Sequence, residues 1–423
     1  MSTLKTTNLQ SSDASSANII LGQGSGGGAT ISGVTTSSTL RATTGIVTTA
    51  TITTADVTTS RTTTGITTTA TIDTATVGGV TTLNSDGVSC TGISTAKVFV
   101  PTEGQLSHRN IVINGDMQVA QRGTSTTTIN TYLIDRWRSY GGALGATWSQ
   151  QTDATAYPRS RYALRQQRNS GTSQTNNTGV GQGIETKNSY QLAGQAVTLT
   201  FKARCGANFS SASNALVSRI NAGEGTDDNP FSMTNTNGSA QTNTLTTSVQ
   251  TFTHKWTIPS DKTQVTLLFD YNPVGTAGAN EWFEITEVQL EVGSAATPFE
   301  YRSYSDELTR CQRYYWQITQ TDSNAAFSGS TISYGSNYNI MMVSNPVEMR
   351  TTCAALTTSG TAADYQLWGG GTVVDLASVP TLRGSSSKTQ TAIDVTYNVT
   401  AGEGRIFRIK GGSGAYLGFS AEL

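Results

Sequence analysis

The sequence predicts an all-β chain with one short helix, and three features carry that expectation. Thr and Ser dominate long stretches, above all before residue 100, and Thr is β-branched and favours extended backbone. Apolar residues recur at every second position in many segments, the spacing of a strand with one buried face. Only 13% of the residues are charged while 43 are glycine, so turns punctuate the strands.

Taken in order, residues 1–38 read as a polar arm with one apolar patch, Ile19-Ile20-Leu21. The glycines that follow, Gly22, Gly24 and Gly27, have the spacing of a phosphate-binding loop. That chemistry needs a helix next, to aim its first amides at the anion, and Ala29-Thr30-Ile31-Ser32-Gly33 does not start one. A turn between short strands is expected instead.

A repeat comes next. The run that begins Arg41-Ala42-Thr43-Thr44-Gly45-Ile46 recurs from Arg61, 20 residues later. Its large apolar residues are sparse: Ile46, Ile52 and Val57, then Ile66, Ile72 and Val77. A lone path of this kind cannot offset an ordering cost of about 1–2 kcal/mol per residue with roughly 1.5–3 kcal/mol per buried Ile. Three chains wound about one axis would share those six positions as a core and leave Thr hydroxyls outside. Residues 39–107 are therefore expected to form a homotrimeric β-fibre.

Residues 108–302 have the texture of a β-sandwich. Ile111 and Ile113 alternate with Val112, and Asn114-Gly115 signals a turn. Three strands show clean apolar faces: Val197, Leu199, Phe201 and Ala203; Phe252, His254, Trp256 and Ile258; Val265, Leu267, Phe269 and Tyr271. In the closing strand Phe283 and Ile285 share one phase and Val288, Leu290 and Val292 the other, so a bulge is expected near Thr286-Glu287.

Pro298 then fixes an extended step. The helix signal follows, with Ser303 and Ser305 as candidate caps, Asp306 and Glu307 in the first turn, and Leu308, Cys311 and Tyr315 at helical spacing. Pro298, Leu308, Cys311 and Tyr315 are the expected joint to a second β-domain at 303–423. Its strands read Ile393, Val395, Tyr397 and Val399, then Leu417, Phe419, Ala421 and Leu423.

Several functions are disfavoured. The formal net charge is −1 and the basic residues are scattered, so a nucleic-acid or anionic-membrane partner is not expected. No apolar run has the length of a membrane span, and Met1-Ser2-Thr3-Leu4-Lys5 lacks the apolar core of a leader, which points to assembly in the cytoplasm. Cys90, Cys205, Cys311 and Cys353 are far apart and read as buried hydrophobes, so neither a metal nor a cofactor is expected. His254 lies on an apolar strand face, the place of a core histidine. For glycan hydrolysis the candidate carboxylates are Asp227-Asp228 and Glu284, Glu287 and Glu291, which read as a polar loop and the solvent face of a strand. The protein is therefore expected not to be an enzyme.

Several motifs together resemble tail fibres of tailed bacteriophages, especially the marine cyanophage type. They are the opening MSTLKTTNLQ with NIILG, the repeats, RNIVINGDMQVAQRGT with YLIDRW, VQLEVGSAATPFEYRSYSDELTRCQRYY, and the final GFSAEL. The resemblance implies a homotrimeric virion fibre with an attachment arm at 1–38 docked on other tail proteins. It also implies a β-helical shaft at 39–107, a jelly roll at 108–302 like carbohydrate-binding modules, and a β-sandwich head at 303–423. Members sometimes hold calcium near the first jelly-roll strand, but Gln118 stands where an acidic residue is expected, so no metal is carried over.

The implied role is recognition of a bacterial surface glycan or protein. In the head, Tyr334, Asn337 and Tyr338, and Tyr365 with Trp368, are the candidate contacts, because aromatic rings stack on sugar faces and amides meet hydroxyls. A purely structural head fibre or tail adaptor, and less readily a glycan depolymerase, are the alternatives.

Overall fold

A computed structural model describes residues 107–142, 145–319, 326–335, 338–397 and 402–423; at 326–330, 334, 335 and 338 it describes the backbone alone. The arm, the repeats and the six shaft positions Ile46, Ile52, Val57, Ile66, Ile72 and Val77 lie outside the described residues, as do Cys90, Asn337 and Val399.

Alternating sequence becomes paired strand throughout. The first eleven strands are β1 (Ser125–Thr126), β2 (Arg138–Gly141), β3 (Ala146–Thr152), β4 (Tyr162–Arg168), β5 (Thr178–Ile184), β6 (Ala196–Cys205), β7 (Ala215–Glu224), β8 (Thr234–Thr244), β9 (Gln250–Thr257), β10 (Gln264–Tyr271) and β11 (Trp282–Val292). They form two antiparallel sheets, ordered β1-β3-β4-β11-β6-β9 and β2-β5-β10-β7-β8. From β4 onward the chain mostly crosses between the sheets at each step, the habit of a jelly roll.

The inward faces of β6 and β10 are those the sequence predicts, and Val197, Leu199, Phe201, Leu267 and Phe269 are fully enclosed. Phe201 meets Phe269 edge-on with ring centroids 4.8 Å apart. His254 is buried as expected of a core histidine, sharing its ring nitrogens with Ser218 Oγ at 3.2 Å and Ser239 Oγ at 2.9 Å.

The bulge forms where the two apolar phases meet. Register shifts between Thr286 and Gln289, and Glu287 adopts φ 49°. Beyond it β11 leaves β4, and the vacated edge is taken by the segment around Gly115. Val288 N donates to Gly115 O at 2.9 Å and Ile111 N to Leu290 O at 3.0 Å. The alternation of Ile111 and Ile113 with Val112 therefore does not become a regular strand. The segment is irregular, and the fully buried side chain is Val112.

Ten further strands follow: β12 (Tyr315–Thr319), β13 (Ala326–Gly335), β14 (Tyr338–Ser344), β15 (Ala355–Thr358), β16 (Tyr365–Gly369), β17 (Thr372–Asp375), β18 (Thr381–Leu382), β19 (Gln390–Val395), β20 (Gly404–Ile409) and β21 (Tyr416–Ser420). They make a three-stranded sheet, β12-β21-β15, and a seven-stranded one, β17-β16-β20-β13-β14-β19-β18. A second core includes Met341, Ile393, Phe407 and Phe419, with Trp316 stacked on Phe419 at 4.3 Å.

Two short α-helices are present among the described residues: α1 (Thr186–Ser189) and α2 (Tyr304–Gln312). Ser303 caps α2 by accepting from Asp306 N at 3.2 Å. The buried residues of α2 are Glu307 and Cys311; Leu308 is half-buried and Pro298 is exposed. Glu307 takes the inward place because its carboxylate accepts from Asn114 N and, at 3.3 Å, from Arg302 Nη1. Tyr315, just beyond, is buried beneath Arg122, whose guanidinium lies 3.5 Å from the ring centroid.

Candidate functional site

Alternation within the five-stranded sheet dictates what its outer face carries. In β10 the residues facing away from the core are Leu268 and Asp270, in β7 Arg219 and Asn221, in β2 Tyr140. In β5 they are glycines, Gly179, Gly181 and Gly183. A strand stripped of side chains on one face invites close approach of another segment. The loop 225–233, between β7 and β8, makes that approach. A Cβ at Gly181 would lie 2.7 Å from the Phe231 ring, and one at Gly183 would lie 2.6 Å from Pro230.

Phe231, resting on the glycine track, packs against Tyr140 with centroids 5.3 Å apart, and Arg138 covers it at 4.9 Å. Between this aromatic wall and β7 lies an open groove of about 290 Å³, lined also by Asn177, Arg219, Asn221, Met233, Thr236 and Asp270. At its floor Asp270 is almost wholly buried and accepts from Arg219 Nε at 2.6 Å and Nη2 at 3.3 Å. The Asp270 hydrogen bond is the largest influence on Arg219 and raises its pKa, so the guanidinium stays charged; the formal charges of the two side chains cancel. Asn177 Nδ2 stands 3.4 Å from Asp270 Oδ1 and 3.0 Å from Asn272 Oδ1. Acceptors and donors thus sit beside half-buried aromatic surface.

The candidate contacts in the second domain are placed differently. Tyr365 is corrected: it faces inward with Leu367 on β16, is fully buried, stacks on Phe407 at 6.0 Å and donates to Tyr416 O at 2.5 Å, so no ligand reaches it. Trp368 faces outward, 46% exposed, in a cross-strand row with Val373 and Ile406. Tyr334 and Tyr338 end the strands of one hairpin, β13–β14, around 336–337, and their side chains lie outside the description, with Asn337. Tyr334, Tyr338, Tyr365 and Trp368 thus belong to strands of the seven-stranded sheet, and none of them lines the groove.

The carboxylates considered for hydrolysis need a second correction. Glu284, Glu287 and Glu291 are buried, not solvated, because each finds partners on the outer face of the six-stranded sheet or, for Glu291, in the segment that follows β11. Glu284 receives Arg165 Nε at 2.9 Å, Arg204 Nε at 2.7 Å and Tyr157 Oη at 2.9 Å. Lys202 Nζ reaches Glu287 at 2.8 Å, and Thr297 Oγ1 donates to Glu291 at 2.6 Å. Asp227 lies in the groove's loop and accepts from Arg350 Nη1 at 2.9 Å. All four are committed to cations or donors of the fold.

A jelly-roll-like sandwich carrying an open, neutral, polar–aromatic groove is the class the fold and site define. No family model and no curated protein matches the chain. Solved structures similar over part of it include the enzymatically active domain of tailspike protein 4 of bacteriophage CBA120, at 11% identity and a TM-score of 0.30, covering 44% of this chain and 21% of that one. TmCBM61 in complex with β-1,4-galactotriose is similar at 11% identity and a TM-score of 0.28, over 44% of this chain and 99% of that one. The CBM22-1 xylan-binding domain of Paenibacillus barcinonensis Xyn10C is similar at 12% identity and a TM-score of 0.27, over 46% and 97%. The match spans about a fifth of the solved tailspike chain and nearly all of the two modules.

Proposed function

We propose that this protein is a non-catalytic, glycan-binding fibre of a tailed-phage virion. It works as a homotrimer docked through its N-terminal arm on other tail proteins. The observation that carries glycan binding is the Arg219–Asp270 pair on the groove floor beside Tyr140 and Phe231. A pyranose ring offers an apolar C–H face to the aromatics, while its hydroxyls accept from Arg219, which Asp270 holds in place from below, and from Asn177 and Asn221. Because the ion pair is neutral in sum, an uncharged sugar fits better than an acidic one. Fibre membership is supported by the sequence motifs that resemble tail fibres, and the trimer by the repeat's sparse apolar residues. A groove this open binds weakly alone, and three copies on one host surface supply the avidity an adsorption protein needs.

The test is binding of the full chain to a plate array of neutral polysaccharides and lipopolysaccharide O-chains, beside Asp270→Ala and Tyr140→Ala. Each variant is expected to lose about tenfold or more in affinity, near 1.4 kcal/mol, with an unchanged circular dichroism spectrum. Binding that survives both substitutions overturns the groove assignment, and a chain that binds neither array nor cells is a purely structural head fibre or adaptor. The outward row of Trp368, Val373 and Ile406 favours a second reading, a protein contact on the seven-stranded sheet. Trp368→Asp would then abolish cell adsorption while array binding stays intact.

A further inference from the structure

We infer that the second β-domain sets the shape of the sandwich groove, with Arg350 as the positioning residue that grips the groove's wall from the other domain. The loop 225–233 has little backbone pairing of its own and is held by side chains. At its start Gly225 adopts φ +110° and Asp227 φ 54°. Asp227 N donates to Thr186 Oγ1 at 2.7 Å, and Asp227 Oδ1 accepts from Thr186 N at 2.8 Å. These two bonds fix one side of the turn to the sandwich. The other carboxylate oxygen, Oδ2, is taken by Arg350 Nη1 at 2.9 Å.

Arg350 belongs to the second domain and spends its remaining donors there. Its Nε donates to Ala421 O at 2.9 Å and its Nη2 to Glu422 O at 2.8 Å. One planar guanidinium therefore joins the residues trailing β21 to the loop carrying Phe231. The same trailing residues reach the glycine track: a Cβ at Gly183 would lie 3.2 Å from Leu423 Cδ1 and 2.6 Å from Pro230. Arg350 N also donates to Arg313 O at 2.8 Å, and Arg313 pairs with Glu185, next to Thr186, at 2.6 Å. The second domain thus holds the loop at Asp227 and the floor beneath it at 183–186. Although burial pushes the Asp227 carboxyl upward, its bonds to Thr186 and Arg350 hold it below the usual range, so the grip is ionic at neutral pH.

Movement of the second domain against the sandwich would then move Phe231 relative to Tyr140 and open or narrow the groove. The consequence for ligand rests on the groove reading; the mechanical link does not. Hydrogen–deuterium exchange on the unliganded full chain tests the link. In Arg350→Ala, peptides covering 225–233 are expected to exchange about tenfold faster, with partial recovery in Arg350→Lys, whose single ammonium cannot meet one carboxylate and two carbonyls together. Faster exchange confined to 421–423, with 225–233 unchanged, overturns the proposal.

Should Arg350→Ala fail to fold, Asp227→Asn removes the charge from the loop side while leaving the arginine's carbonyl bonds. Faster exchange at 225–233 alone supports the link, and unchanged exchange there overturns it. On the polysaccharide array, Arg350→Ala is expected to weaken binding three- to tenfold although it lines no part of the groove. Failure of Asp270→Ala to affect the array would sink the groove reading while the exchange result still decides the link.

Discussion

At the scale of the residue, Asp116 shows how much a single buried charge matters in this fold. Its carboxyl is buried and Oδ1 has no hydrogen-bond partner. Burial, then the nearby Glu307 carboxylate, pushes its pKa up from 3.8 to about 6. Asp135 reaches about 6 as well, by burial, despite Arg122 pulling the other way. A group that holds its proton more tightly when folded favours the fold below its unfolded pKa and loses that contribution as pH rises through the folded value. These two residues therefore oppose the fold progressively from about pH 4 to above pH 6. Asp116→Asn, a neutral isostere, is expected to gain on the order of 2 kcal/mol at neutral pH and to flatten the pH dependence of stability in that window. Urea titrations at several pH values measure both effects, and a variant less stable than the parent at pH 8 would contradict the account.

At the scale of the element, α2 and the bulge in β11 show local signals fixing local structure while burial is decided elsewhere. The Ser303 cap is legible from sequence and forms, so Ser303→Ala is expected to cost about 1 kcal/mol. The choice of buried face was not legible. Hydrophobicity alone selects Leu308 and Cys311, whereas the fold selects Glu307 and Cys311, because Asn114 N and Arg302 wait there for a carboxylate. Cys311→Asp should therefore prevent folding or cost several kcal/mol, by burying an unpaired charge, while Leu308→Asp on the half-exposed side costs about 1 kcal/mol or less. Thermal melts of the two variants that gave equal losses would show this face to be misassigned.

At the scale of the whole molecule, the junction between the two β-domains sets buried ion pairs among aromatic and apolar side chains. Arg136, itself buried, pairs with Glu422 and lies 3.6 Å over the Tyr314 ring, while Glu185 accepts from Arg313 and, at 2.8 Å, from Tyr314 Oη. Removing one partner of such a pair leaves the other charged and buried, so Arg136→Ala is expected to cost about 3–5 kcal/mol in a urea titration. The proposed trimer belongs to this scale too. Static light scattering of the full chain at micromolar concentration is expected to give three times the chain mass, and deletion of 39–107 to lower it. A monomer under those conditions would remove the shared-core argument.

Legible in the residues alone were the β character of the chain, the inward faces of β6 and β10, the bulge in β11 and the cap of α2. Each of these follows from residues close together in the chain: alternation at period two, a change of apolar phase, a Ser before an acidic turn. What was not legible is the groove. The alternating glycines of Thr178–Ile184 were its one visible trace, since a face without side chains signals close approach, yet nothing local names Phe231 as what approaches. The burial of Glu284, Glu287 and Glu291, the enclosure of Tyr365 and the reach of Arg350 to Asp227 were likewise decided only by tertiary structure. The reason is physical: a polar side chain is soluble or buried according to the partner it meets, and for Glu284, Glu287, Tyr365 and Asp227 those partners lie dozens to more than a hundred residues away, where no periodicity records them.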